Sequence, residues 1–131
     1  MNIYTIGENI LDEWHWVEPE LALVLADHPS GYPMSDYLKQ IQDMQQLVLV
    51  IEDGDTRCVS LLAIHPESLH VVAAAGKGLD TWGHVAEQAL TYIAKGLGVK
   101  YITSNARKGW AKRQVQHNGW TEREVFIVRA V

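Results

Sequence analysis

The run Leu69-His70-Val71-Val72-Ala73-Ala74-Ala75-Gly76-Lys77-Gly78-Leu79-Asp80-Thr81-Trp82-Gly83-His84-Val85-Ala86 passes from alternation through a glycine-bearing loop into helical spacing, and that change decides the fold. Leu69 to Ala75 reads as a strand, with Val71, Ala73 and Ala75 on one face and His70, Val72 and Ala74 on the other. Gly76-Lys77-Gly78 ends it. Asp80 or Thr81 then caps a helix in which Trp82, Val85, Ala86, Ala89, Ile93 and Leu97 share a face, and Gly96 or Gly98 closes it.

Toward the C-terminus, Tyr101 to Thr103 is the next strand, Lys108 to His117 a short helix stopped by Asn118-Gly119, and Glu124 to Val131 a terminal strand. In the other direction, Leu47 to Ile51 and Arg57 to Ile64 are joined by the turn signal Asp53-Gly54-Asp55, which predicts an antiparallel hairpin. Met34 to Met44 reads as a helix. Ile10 to Ala26 sets Leu11, Trp14, Val17, Leu21, Val24 and Leu25 at helical spacing, but Pro19 falls inside it. Proline clashes within a helix, so this stretch is expected to be two short helices meeting near Val17 or Glu18. Asn2 to Ile6 is a short first strand. The sum is an α/β (α+β) fold: a single domain over residues 1–131, with a mixed, mostly antiparallel sheet of about six strands flanked by helices.

Composition narrows the function classes. The chain has 131 residues, of which 47% are hydrophobic and 21% charged, as in globular domains. No apolar run approaches a membrane span and the N-terminal residues carry no signal pattern, so a soluble, cytoplasmic protein with no membrane partner is expected. A net charge of −5 argues against general nucleic-acid binding, although six of the eleven Lys and Arg residues lie between Lys100 and Arg123. Within that basic stretch, Trp110 either stacks on a base or adenine ring or anchors a short helix to the core.

Cys58 is the only cysteine, so no disulfide forms within one chain, and its neighbours Val59, Leu61 and Leu62 suggest an inert core thiol. His15, His28, His84 and His117 are scattered without ligand spacing, and no metal is expected. Ser60 and Ser104 lack the context of a hydrolase nucleophile. Trp14 and Trp16 cannot share one helix face, so one of them should be exposed or set against a partner.

The succession of two helices, a three-strand meander, a long helix, a strand, a short helix and a last strand resembles the GNAT acyltransferase superfamily over nearly the whole chain. The resemblance implies acetyl-coenzyme A or coenzyme A as the cofactor, and a V between antiparallel strands at Leu69 and Lys100 that admits pantetheine. In this reading Val72, Ala73, Ala74 and Gly76 orient the pantetheine arm. The family's pyrophosphate signature opens the long helix, where free N–H groups and the positive helix end hold the phosphates. Here its register falls on Asp80, Gly83 and Val85, so one of three positions agrees, and an acid at the helix start opposes an anion. Gly78, Thr81 and Gly83 are the remaining phosphate candidates, and Gly76-Lys77-Gly78 either holds the phosphates, with Lys77 countering their charge, or is a plain turn.

Family members also carry an Asn, then an Ala, then a Tyr ahead of Gly-Phe. Counting back from Gly119-Trp120 puts Lys108, Ala111 and Val115 on those positions, and valine cannot protonate a departing thiolate. Asn105 either takes over the asparagine role or is a turn residue. Leu69 to Ala75 has no carboxylate for the base, which leaves His70, with Glu67 and His65 in the preceding turn. His70 is either that base or a histidine at the strand's solvent end.

Trp14-His15-Trp16-Val17, Leu69-His70 leading to Ala74-Ala75-Gly76, and Arg107-Lys108-Gly109-Trp110 together resemble small GNAT-like proteins of tailed bacteriophages. That resemblance implies a phage setting, in host cytoplasm or virion. Two functions follow: an N-acyltransferase, or an inactive GNAT-fold scaffold that binds a virion or host protein through Lys108 to Arg113 or the Trp14/Trp16 surface.

Overall fold

The computed structural model describes residues 1–25, 32–76, 79–104, 121–122 and 127–131. In chain order its elements are β1 (Asn2–Ile6), α1 (Ile10–Leu25), α2 (Met34–Gln42), β2 (Gln46–Asp53), β3 (Thr56–Ile64), β4 (Ser68–Gly76), α3 (Leu79–Leu97), β5 (Tyr101–Ser104), β6 (Thr121–Glu122) and β7 (Ile127–Ala130). The short helix expected at Lys108 to His117 lies outside the described residues. The strands form one sheet of order β1-β2-β3-β4-β5-β7-β6, one strand more than expected because of the two-residue β6. All pairings are antiparallel except β4 with β5.

The hairpin forms as its turn chemistry dictates. Asp53 pairs with Thr56, and Gly54, the first loop residue, has φ 60, the conformation that a type II′ turn reserves for glycine. Alternation along β2 then divides the core. Val48 and Val50 join Val59, Leu61 and Ala73 beneath α1 and α2, while Leu47 and Leu49 join Leu62, Leu69, Val71 and Ile102 beneath α3. The sheet is therefore a layer between α1 and α2 on one side and α3 on the other.

Pro19 does not break α1, contrary to the expectation of two helices. Pro19 itself is exposed, while Ile10, Val17 and Leu21 are fully buried and Leu25 nearly so. Burying such side chains stabilises by roughly 1.5–3 kcal/mol each, enough together to outweigh the ~3 kcal/mol of an interior proline. Leu11, assigned to the buried face, is 62% exposed, and Ile10 takes its place. Trp14 and Trp16 both pack partly buried against the core. Trp16 manages this at the rim, its indole N–H donating to Glu13 and its ring covered by the Arg57 guanidinium 4.1 Å from the centroid.

Two helix ends are sharper than the sequence suggests. Met44 has φ 59; its N–H donates to Ile41 O at 3.1 Å, and that of Gln45 to Gln40 O at 2.9 Å. That paired closure ends α2 at Gln42, short of Met44. The Met44 side chain then crosses Gly7, where a Cβ would stand 2.9 Å from its sulfur. α3 closes in the same way: Gly98 (φ 74) donates to Lys95 O and Val99 to Ala94 O, both at 3.2 Å. The buried seam of α3 is centred on Leu90 and Ala94, and Leu97, expected on that face, is 42% exposed.

Candidate functional site

The chemistry-bearing side chains gather where β4 leaves β5. The two strands run parallel, in register from Ser68–Tyr101 to Val71–Ser104, which corrects the antiparallel V expected there. Among the described residues, β4–β5 pairing runs as far as Val71–Ser104, and β4 continues beside β3 to Gly76. Ser104 stands at the apex of this described register: it is 4% exposed, and its hydroxyl donates to Val71 O at 3.4 Å.

A β-bulge sits at the same point. Leu61 pairs with Ala73 and Leu62 with Val71, so Val72 has no partner in the β3 register. The bulge inverts the alternation beyond it. Val71 packs under α3, whereas Ala73 packs under α1 and α2 with Val72 against the same cluster. The expectation that Val71 and Ala73 share a face is thus overturned, because one extra residue moves every later side chain to the opposite side. Ala74, across from Ser60, is half-buried, and Gly76 is the last residue of β4, across from Cys58.

Below the apex, a polar row crosses the sheet on the α1/α2 side: Gln46 pairs with Ala63, Ala63 with His70, and His70 with Thr103. His70 Nδ1 lies 2.6 Å from Thr103 Oγ1, and its ring is 6.3 Å from that of His65. This bond fixes the imidazole orientation. Glu67 lies elsewhere, in the turn before β4, where its carbonyl accepts the Lys100 and Tyr101 N–H groups and its carboxylate is 3.8 Å from the Lys100 ammonium. Five residue steps of strand separate it from Val72, roughly 17 Å at the usual rise.

Over the α1/α2 side, next to the bulge, a cavity of about 500 Å³ is lined by Tyr32, Asp36, Tyr37, Lys39, Gln40, Gln46 and Val72. Tyr32 and Tyr37 meet edge to face at 6.3 Å. Gln46 Oε1 is buried there with no hydrogen-bond partner. Sequence reasoning began the strand at Leu47 and so missed Gln46; its signal was a polar residue in phase with the inward-facing Val48 and Val50.

Beyond β4, α3 begins at Leu79, so Asp80 and Thr81 stand in its first turn and do not precede it as caps. Gly83 follows one turn on, and nothing in the described structure lies within 4 Å of the place its Cβ would take. Lys77, Gly78, Asn105 and Lys108 lie outside the described residues. Cys58 is buried near Val85 and Ala86 of α3, and burial pushes its thiol up, away from the nucleophilic thiolate. Among the described residues there is no cluster of three metal-ligating side chains, and no helix is long and apolar enough to cross a membrane.

No protein-family model matches the sequence, and no curated protein matches it. Solved structures do. Tetrahymena GCN5 aligns over 100% of this chain and 96% of its own, with TM-score 0.65 and 8% identity. A spermidine N-acetyltransferase from Vibrio cholerae aligns over 99% and 95%, with TM-score 0.64 and 12% identity. PaiA N-acetyltransferase from Thermoplasma acidophilum, solved in complex with coenzyme A, aligns over 100% of both chains, with TM-score 0.55 and 11% identity. The fold is that of the GNAT acetyltransferases.

Proposed function

We propose that this chain is an acyl-coenzyme A-dependent N-acyltransferase whose donor lies along the C-terminal half of β4. One observation carries the reading: in this acetyltransferase fold, β4 carries a bulge at Val72, just past the described β5 register, and runs on beside β3 to Gly76. Val72 to Gly76 orient the pantetheine arm with their backbone, and the first turns of α3, with Gly83, face the pyrophosphate. The space at Gly83 fits such a role, since a helical glycine costs about 1 kcal/mol against alanine and no atom of the described residues requires it. Lys77, Gly78, Asn105 and Lys108 are assigned to the same donor from the sequence alone.

Bound acyl-coenzyme A supplies a thioester carbonyl carbon and a thiolate leaving group. This chain brings the amine to it from the α2-covered cavity, whose wall includes Val72. As the amine nitrogen bonds to the carbonyl carbon, His70 takes its proton, directly or through a water, held in place by Thr103. The C–S bond then breaks, and the departing thiolate takes a proton from solvent, since Val115 stands where the family places an acid. Glu67 is set too far along the strand to touch the reacting atoms and acts only through the β3–β4 turn and its contacts with Lys100 and Tyr101.

A second reading has its own observation. An acidic residue, Asp80, lies in the first turn of α3, where a negative side chain is favoured and an anion opposed. It favours a GNAT-fold scaffold that binds a protein, in the phage setting implied by the sequence resemblance. Calorimetric titration with acetyl-coenzyme A and with coenzyme A separates the two: micromolar binding supports the enzyme, and no binding at millimolar ligand the scaffold. Asp80→Gly is expected to raise coenzyme A affinity, and unchanged affinity would remove the repulsion from the account.

A further inference from the structure

We propose that β1 is a self-association edge: two copies of this chain pair their β1 strands antiparallel about a two-fold axis at Tyr4, continuing the sheet from one molecule into the other. The inference is independent of the acyltransferase reading and starts from a contrast between the two ends of the sheet. β6, at one end, has two residues, one of them the acidic Glu122. β1, at the other end, has five, and among the described strands only β2 lies beside it. An antiparallel ladder turns alternate N–H and C=O groups away from its partner, so the outer side of β1 offers a second ladder.

Natural edges prevent such pairing by shortness, charge, proline or a bulge. The last three are missing from β1: Asn2-Ile3-Tyr4-Thr5-Ile6 carries no charge and no proline, and its register with β2 runs unbroken from Asn2–Glu52 to Ile6–Val48. Its side chains are available on both faces of the sheet. Ile3, opposite Ile51 on the α3 side, is 48% exposed, and Tyr4, opposite Val50 on the α1/α2 side, is 38% exposed. Asn2 and Thr5 are exposed as well.

Charge selects a second copy as the occupant. With the axis at Tyr4, Ile3 meets Thr5 of the second copy, Asn2 meets Ile6, and the two Tyr4 side chains stand opposite each other, so the strand complements itself and no like charges face one another. The carboxylate beside the strand, that of Glu52 opposite Asn2, is answered within its own chain, by Arg57 Nε at 3.3 Å and by the Tyr4 hydroxyl donating at 2.6 Å. The whole chain carries a net charge of −5, and a neutral strip is where two such molecules approach with least repulsion. The contact is short, roughly 17 Å of strand, and smaller than the roughly 1,000 Å² of a stable interface, so the dimer is reversible and depends on concentration.

Sedimentation velocity of the full chain, from micromolar to millimolar concentration, tests the pairing, with circular dichroism and urea denaturation of each variant as the check on folding. The unaltered chain is expected to pass reversibly from monomer to dimer. Ile3→Lys and Thr5→Glu, both at exposed positions, should each raise the dimer dissociation constant about tenfold or more, because charge on an edge strand opposes pairing. An equimolar mixture of the two variants should recover association, since the axis at Tyr4 sets position 3 of one copy against position 5 of the other. A chain that stays monomeric up to millimolar concentration overturns the proposal and leaves this edge to a strand of another protein. A dimer that neither variant weakens, or a loss that the mixture does not restore, overturns it as well, by placing the interface elsewhere or in another register.

Discussion

The two halves of β4 are built from the same apolar, small-residue sequence and face opposite fates. Ser68 to Val71 is held between β3 and β5, with Leu69 fully buried and His70 tied to Thr103. Val72 to Gly76 has β3 alone as a described neighbour and begins with a residue that has no partner in the β3 register. One strand thus serves as core for half its length and as the proposed donor edge for the rest.

The largest expected effect separates stability from function. Leu69→Ala, in the closed half, should lower unfolding free energy by about 2–5 kcal/mol, measured by urea denaturation. Val72→Pro should do the reverse in kind: the fold persists, since a bulge tolerates proline, while on the proposed reading acyl transfer falls by about 100- to 1,000-fold, because the backbone N–H proposed to orient the donor is lost. Equal destabilisation by both variants would erase the distinction between the halves.

Two substitutions probe the ends of the proposed donor half. Gly83→Ala should stabilise α3 by about 1 kcal/mol because nothing crowds that position, yet weaken acetyl-coenzyme A binding if phosphate approaches there; thermal unfolding and calorimetry read the two effects. Ser104→Ala removes the hydroxyl from Val71 O at the apex and should cost about 0.5–1.5 kcal/mol.

The smallest effect lies far from the split and serves as a control. Burial and the 2.6 Å hydrogen bond to Glu52 push Tyr4 up to about 12. Its proton is thus held more tightly in the folded chain than in the unfolded one, where tyrosine titrates near 10. Stability from this contact is complete below pH 10 and declines as pH rises from 10 toward 12. Tyr4→Phe should flatten that part of the pH profile and leave acyl transfer unchanged.

Much of this fold was legible from period and turn chemistry. Gly54 marked the hairpin, and the apolar spacing of α3 put Ala89 and Ile93 at its packed side while leaving out Leu90 and Ala94, the centre of its buried seam. What escaped depends on tertiary packing. Pro19 was a valid warning about local strain, overridden by Ile10, Val17 and Leu21 across the helix. The bulge at Val72 leaves no mark in a run of valine and alanine, so the phase change at Ala73 could not be read from it. The left-handed backbone at Met44 is equally silent, because methionine seldom adopts it. Gln46 and Thr103 gained their meaning only through register, which set them in one row with His70.

Amide hydrogen exchange along β4, with and without saturating acetyl-coenzyme A, tests the division of this strand most directly. Amides of Ser68 to Val71 should be protected in both states, and those of Val72 to Gly76 that face away from β3 should exchange rapidly until the ligand is added, then slow at least tenfold. Uniform protection across both halves, or rapid exchange beyond Val71 that saturating ligand leaves unchanged, would contradict the account.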